Sequence, residues 1–351
     1  MATLETQKLD AIIASRRSLL VGATALAATA VFGTTQEAAA AVTAKPNDFD
    51  ILNFALNLEY LEANFYTIAV EGVTADNSKL GSATKPPAGS GTVTFRAGAK
   101  VTFTNPAVAA YAIETALEER KHVNFLLSAI GGNGGTAVAR PNINLQTSFL
   151  NLGTLLGVPG FDPFTTDLNF LLGSYIFEDV GVTAYHGGAL GITNKGANGG
   201  LDVLTPAAGI HAVEAYHAGL VRTTLALFDA GLITFGSADQ ALKGQAVNLT
   251  TGISNLRATL DGTVGQAPAA TDTVGLSGQD DFGLATYSVP TNGTTGTASR
   301  IMDQGRTTSP FYSNFIGFKR SYQQVLNIVY GSTSGYNTNS FFPNGMNGNI
   351  S

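Results

Sequence analysis

The sequence predicts an all-α protein: a four-helix bundle with one long crossover, a small insertion and a C-terminal extension. Three observations predict it. Long segments place apolar residues at helical spacing. Those segments open on a polar residue beside a proline and close near glycine, as helix termini do. They also carry glutamate paired with tyrosine or histidine at fixed distances, and that pattern occurs twice.

The elements follow in chain order. Residues 1–44 read as a targeting segment. In "SRRSLLVGATALAATAVF", Arg16 and Arg17 precede an uncharged run over 18–32. As a helix that run spans about 22 Å, short of a bilayer core of about 30 Å. Small residues around 38–44 offer cleavage sites. The two arginines point to the twin-arginine export route, and so to a periplasmic or extracellular protein. No later run is long and apolar enough to span a membrane.

The bundle is expected over 45–235. Its first helix follows Pro46 and Asn47, repeats apolar residues from Ile51 to Ile68 at helical spacing, and closes at Gly72. The other three open at Asn105-Pro106, Asp162-Pro163 and Thr205-Pro206. They end near Gly131-Gly132, Gly187-Gly188 and Gly231. Between helices one and two, the insertion at 74–104 holds "GTVTFRAGAKVTF", which alternates like a hairpin turning at Ala97-Gly98. Between helices two and three, 133–161 is the long crossover. The extension, 236–351, should hold a fifth, more polar helix over 237–260 and an extended Gly/Thr-rich loop over 262–299. It ends with an amphipathic segment at "SYQQVLNIVY" and a non-helical "FFPNGMNGNIS".

Composition removes several function classes. The net charge of −6 lacks the clustered Lys and Arg of a nucleic-acid footprint. With no cysteine, the chain has no disulfide, no iron–sulfur cluster and no thiolate metal site. A metal would have to be held by carboxylate, imidazole or water.

The chemistry-bearing pattern uses those groups. Glu119 and His122 lie three residues apart on helix two, as do Glu214 and His217 on helix four. That spacing puts each pair on one helix face. With ten glutamates in 351 residues, two of four histidines would follow a glutamate by chance in about half a percent of cases. A two-metal carboxylate site needs two more carboxylates from the other helices. Helix one supplies Glu59, with Tyr66 seven residues on. Helix three supplies Glu178, with Tyr185 seven residues on. Four converging carboxylates repel and are desolvated unless cations neutralise them.

Several neighbours have plainer readings. Glu62, one turn after Glu59, is the alternative ligand; Glu59 is preferred because it alone has the matching spacing to tyrosine. Tyr66 and Tyr185 are core aromatics whose hydroxyls can support the ligand carboxylates. Glu114 and Glu118 belong to the solvated face of helix two. His186 and His211 are surface or supporting residues rather than ligands.

The chain resembles the exported ferritin-like domain family that includes the desiccation-related proteins. "LNLEYLEANFY", "FLLGSYIFEDVGVTAYHGGA", "AGIHAVEAYHAGLVR", "QVLNIVYG" and "FFPNGMNG" carry the resemblance. It runs from about Asp48 to the end and is weak across 74–104 and 262–309. It departs at Tyr216, where family members usually carry arginine. The resemblance implies a ferritin-like four-helix bundle holding two metal ions, iron or manganese. Glu119 and Glu214 would bridge them; Glu59 and His122 would complete one metal, Glu178 and His217 the other. Two redox metals so close can cycle as a pair, which leads to an expected action on peroxide, oxygen or ferrous iron in oxidative or desiccation stress. If the protein is an enzyme, it is then a di-metal oxidoreductase, a peroxide dismutase or a ferroxidase. The implied partners are a small-molecule oxidant or ferrous iron, and homo-oligomerisation is left open. The alternative is a non-enzymatic structural or protective protein whose metal site only stabilises the bundle.

Overall fold

The computed structural model describes residues 45–81, 87–194, 202–264, 281–288, 295–298 and 317–351. The expected targeting segment, 1–44, lies outside these residues. So do parts of the insertion and most of the loop after residue 264.

Four long helices form the frame. Helix α1 (Asp48–Glu71) is capped by Asn47 in a reciprocal capping box with Asp50, and stops at Gly72 in the left-handed region. Helix α2 (Pro106–Gly132) starts as its sequence predicts: Asn105 Oδ1 accepts from Ala107 N and Val108 N, and Pro106 loses no bond in the first turn. After a short α3 (Thr147–Leu155) come α4 (Asp167–Ala189) and α5 (Leu204–Asp229). Helices α1 and α4 are buried nearly all round, so they form the centre of the bundle. Helix α2 packs chiefly on α1, and α5 on α4.

Two helix starts differ from the expectation. Helix α4 is capped by Thr166, whose side chain accepts from Asn169 N, and not by Asp162. Asp162 instead caps a turn at Phe164 N and pairs with Arg96 of the insertion. Helix α5 begins at Leu204, one residue before Thr205. Asp202 Oδ1 accepts from Thr205 N (2.9 Å) and takes the role expected of Thr205.

The insertion is not a hairpin. The chain does turn at Ala97-Gly98, but strand β1 (Val93–Thr94) pairs in parallel with β2 (Ile143–Asn144) of the crossover. Alternation in the sequence registers a strand without naming its partner. Here the partner is the crossover, and Asn144 N reaches on to Phe341 O (2.9 Å) in the C-terminal tail.

The extension departs from expectation in two places. The fifth helix is split into α6 (Ser237–Gln240) and α7 (Ala246–Leu260), with Gly244 in the left-handed region between them. The loop after it contains an antiparallel pair, β3 (Ala285–Ser288) with β4 (Thr295–Ala298). The amphipathic segment is α8 (Tyr322–Tyr330), and the tail after it is non-helical as expected. Side chains of α7, α8 and the tail join the same apolar core as the bundle, among them Ile253, Leu326, Val329 and Phe342. Among the described residues, no helix is long and apolar enough to cross a membrane.

Candidate metal centre

The four long helices converge on one buried cluster. Glu59 comes from α1, Glu119 and His122 from α2, Glu178 from α4, and Glu214 and His217 from α5. All are buried, and only His122 keeps a trace of exposure (8%). The helices run antiparallel here. Tyr66 and Glu59 of α1 meet Glu178 and Tyr185 of α4 crosswise, so residues seven apart on one helix match residues seven apart on the other.

The donor atoms fall into two groups. In the first, His122 Nδ1 lies 3.3 Å from Glu59 Oε2, 3.4 Å from Glu119 Oε2 and 4.0 Å from Glu214 Oε1. In the second, His217 Nδ1 lies 3.0 Å from Glu119 Oε1 and 3.3 Å from Glu178 Oε2. Glu119 is shared, one oxygen to each group. Glu214 reaches the first group only; its other oxygen faces Gly181 and Glu62. A side chain at Gly181 would collide with the Glu214 carboxylate, so the bare backbone of α4 is what admits it.

These groups fit metal ions. Donors bound at about 2.1 Å to one ion lie about 3 to 4 Å from each other, the range seen here. The geometry is also poor for direct pairing. Glu119 Oε1 and His217 Nδ1 are 3.0 Å apart, close enough for an ion pair, yet neither makes a well-formed hydrogen bond. Glu59 Oε2, Glu178 Oε2 and both oxygens of Glu214 are likewise buried without a hydrogen bond. Orphaned buried carboxylate oxygens are costly. Atoms that converge on shared points without bonding one another are arranged for cations.

Surrounding groups fix the donors. Tyr66 Oη donates to Glu178 Oε1, and Tyr185 Oη donates to Glu59 Oε1. Each tyrosine holds one oxygen of the carboxylate and leaves the other, Oε2, facing the histidine. Burial and the adjacent carboxylate hold both phenols well above the ordinary tyrosine range, so they stay donors. On the far side of His217, Nε2 lies 2.8 Å from Glu118 Oε2. A proton on Nε2 leaves Nδ1 as the lone-pair donor to the centre. Glu118 is therefore half-buried and paired, at the inner edge of the solvated face its sequence suggested. Glu114 is on that face and accepts from the exposed Tyr216 (3.3 Å).

Without metal the cluster balances its charge with protons. Burial opposes charge on His122, but Glu59 and Glu119 outweigh it and push its pKa up to about 12. His217 is raised further, with Glu178 and Glu119 overcoming burial. Burial alone would raise Glu119; the two histidines reverse this and hold it well below the usual carboxylate range. Glu59 is pushed up to about 7, chiefly by burial. Burial and neighbouring carboxylates raise Glu62 and Glu214 well above the ordinary range.

Glu62 stands outside both donor groups. It lines a small apolar cavity of about 20 Å³ with Leu58, Leu61, Val180 and Ile328, room for about one water-sized molecule. His186 and His211 lie near each other but not in either group. Sequence reasoning passed over Tyr111, whose hydroxyl is 3.4 Å from that of Tyr66. Its only signal was a helical place one turn before Thr115 and two before Glu119.

Comparison with known proteins fits this architecture. The family description "Ferritin-like domain" matches residues 47–227, which hold all four long helices through the centre. The chain belongs to the ferritin-like domain family. Similar proteins include the "Ferritin-like catalase Nec2" of Nesocodon mauritianus, 27% identical over 313 residues, covering 86% of this chain and 84% of the relative. They also include the "Desiccation-related protein PCC13-62" of Craterostigma plantagineum, 30% identical over 188 residues, covering 51% of this chain and 53% of the relative. No solved structure gives a significant match. The ferritin-like match ends at residue 227, so α6, α7, α8 and the tail lie outside it, while side chains of α7, α8 and the tail join the same apolar core.

Proposed function

We propose that this ferritin-like protein binds two redox metals, iron or manganese, and disproportionates hydrogen peroxide to water and oxygen. The observation that carries the reading is the pair of buried carboxylate–imidazole groups sharing Glu119. Six residues would hold the ions: Glu59, Glu119, His122, Glu178, Glu214 and His217. Iron or manganese bound there would supply the electron-pair redox capacity that the reaction requires. Two peroxides give two waters and one oxygen, so no external reductant is needed. That suits a chain without cysteine, which carries no thiolate-bound electron donor of its own.

The chain's own groups support small substrates only. Apart from the slight exposure at His122, the cluster is sealed, so molecules much larger than water or peroxide are shut out. The tyrosine hydroxyls keep Glu59 and Glu178 oriented, and Glu118 keeps His217 in one tautomer. The name of the relative from Nesocodon mauritianus supports the catalase reading, and the match spans most of both chains. Oxidation of ferrous iron is the alternative activity of the same donors. The name of the Craterostigma plantagineum relative supports a setting of desiccation stress.

The test is oxygen release from peroxide by iron- and manganese-loaded protein, run beside ferrous oxidation. Turnover well above that of free ion, lost in Glu178→Ala while circular dichroism stays helical, is the expected result. Peroxide turnover no faster than that of free ion with either metal would overturn it and leave a site that serves stability alone.

Export by the twin-arginine route belongs to the same proposal, since a folded chain can then take up its metal before leaving the cytoplasm. Changing Arg16 and Arg17 to lysine should trap the precursor in the cytoplasm. Unchanged export of that variant would point to the general secretory route.

A further inference from the structure

The candidate centre uses two of the chain's four histidines. The other two form a second pair. His186 lies on the last turn of α4, and His211 on the second turn of α5. Their ring centres are 5.7 Å apart, with the ring planes inclined at 43°. Both residues are half-buried. Among the described residues, neither ring has a hydrogen bond or ion pair; each has only the other. Neither imidazole is committed to another protein group, so the two half-buried rings on neighbouring helices are both available to one shared ligand.

The separation suits one ion. A divalent metal about 2.0 Å from a ring nitrogen sits about 3.2 Å from that ring's centre, so two rings sharing it lie about 5 to 6 Å apart. The donor chemistry selects the ion. Two neutral imidazoles with water favour copper, nickel or zinc; calcium and magnesium prefer carboxylate and carbonyl oxygen. Burial, with His186 beside it, holds His211 below the ordinary histidine range, so its lone pair is free at neutral pH. The pair is separate from the carboxylate cluster and shares no donor with it. His211 precedes Glu214 by three residues, about one helical turn along α5.

We propose that His186 and His211 form a second, solvent-accessible site that binds one copper, nickel or zinc ion, with water completing the coordination. The site is independent of whether the buried centre turns over peroxide.

Immobilised-metal chromatography of the untagged full chain tests this. His122 and His217 are buried and cannot reach a resin-bound ion, so retention reports on the other two histidines. The protein should be retained on immobilised copper and released by imidazole. His186→Asn and His211→Asn should each elute far earlier, while each still loads the buried centre to the parent's metal content. Retention unchanged in both variants, or no retention of the parent, would overturn the proposal. A second measurement needs no variant. With the buried centre filled by EPR-silent zinc, one added equivalent of copper should give an electron paramagnetic resonance spectrum with splitting from two nitrogens. A spectrum of free or oxygen-only copper counts against the site whatever the variants do.

Discussion

Glu119 is the residue on which the buried centre turns. Its two oxygens belong to different donor groups, 3.4 Å from His122 Nδ1 and 3.0 Å from His217 Nδ1. Glu119→Ala therefore removes a donor from both groups and should cut bound iron or manganese from about two ions toward none. Glu62→Ala should leave the content near that of the parent, because Glu62 lines the neighbouring cavity and lies outside both groups. Elemental analysis of purified protein checks both, and a Glu119→Ala protein with full metal content would refute the assignment. The principal residues were legible because helical spacing alone puts Glu and His three apart on one face. The same spacing could not reveal Glu118. It lies one residue from Glu119 and looks solvated on α2, and its pairing with His217 Nε2 depends on how α5 approaches. Gly181 was equally silent, since its role is the volume it leaves for a carboxylate from another helix.

At the scale of elements, the long helices were legible and their junctions were not. Caps and glycines are local chemistry, so Asn47, Asn105 and Gly72 were readable in place. Asp162 misled because it serves a turn and Arg96 in the insertion, a contact 66 residues away in sequence. The β1–β2 pairing was hidden for the same reason. Another such contact sets the extension against α4. Asp179 Oδ2 lies 2.7 Å from both Arg222 Nη2 and Arg257 Nη2. Asp281 takes Arg257 (2.6 Å) and Arg320 (2.7 Å), and Arg320 also reaches Asp261 (2.9 Å). Three arginines and three aspartates thus balance in a dry network that joins α4 and α5 to the extension, one residue from Glu178. Removing one member leaves buried charge unpaired, which costs about 3–5 kcal/mol. Asp179→Ala should lower the denaturant midpoint by an amount in that range and loosen the extension first, as seen by hydrogen exchange. A midpoint equal to the parent's would show that the network contributes no net stability.

For the whole molecule, the buried centre makes stability depend on pH in opposite senses with and without metal. In the metal-free protein, Glu59 is raised from 4.5 to about 7, so folding favours its protonated form. The stability from that proton is fully present below about pH 4.5 and is lost as pH rises through 7. Glu62 and Glu214, raised by burial and neighbouring carboxylates, act in the same sense. His122, raised from 6.5 to about 12, adds stability that is fully present below pH 6.5 and declines toward 12. Glu119 runs the other way: its contribution is fully present above about pH 4.5 and is lost only as pH falls below that. The metal-free protein should therefore lose stability as pH rises from about 5 to 8. Divalent ions compete for these same atoms with protons, so metal affinity rises with pH, and so does the stabilisation it confers. The gap in melting temperature between loaded and metal-free protein should widen steadily over that interval, with protons released on loading. Scanning calorimetry of both forms at matched pH, with a pH indicator during loading, measures this. Parallel curves with no proton release would mean that the ions bind somewhere other than the buried carboxylate–histidine cluster.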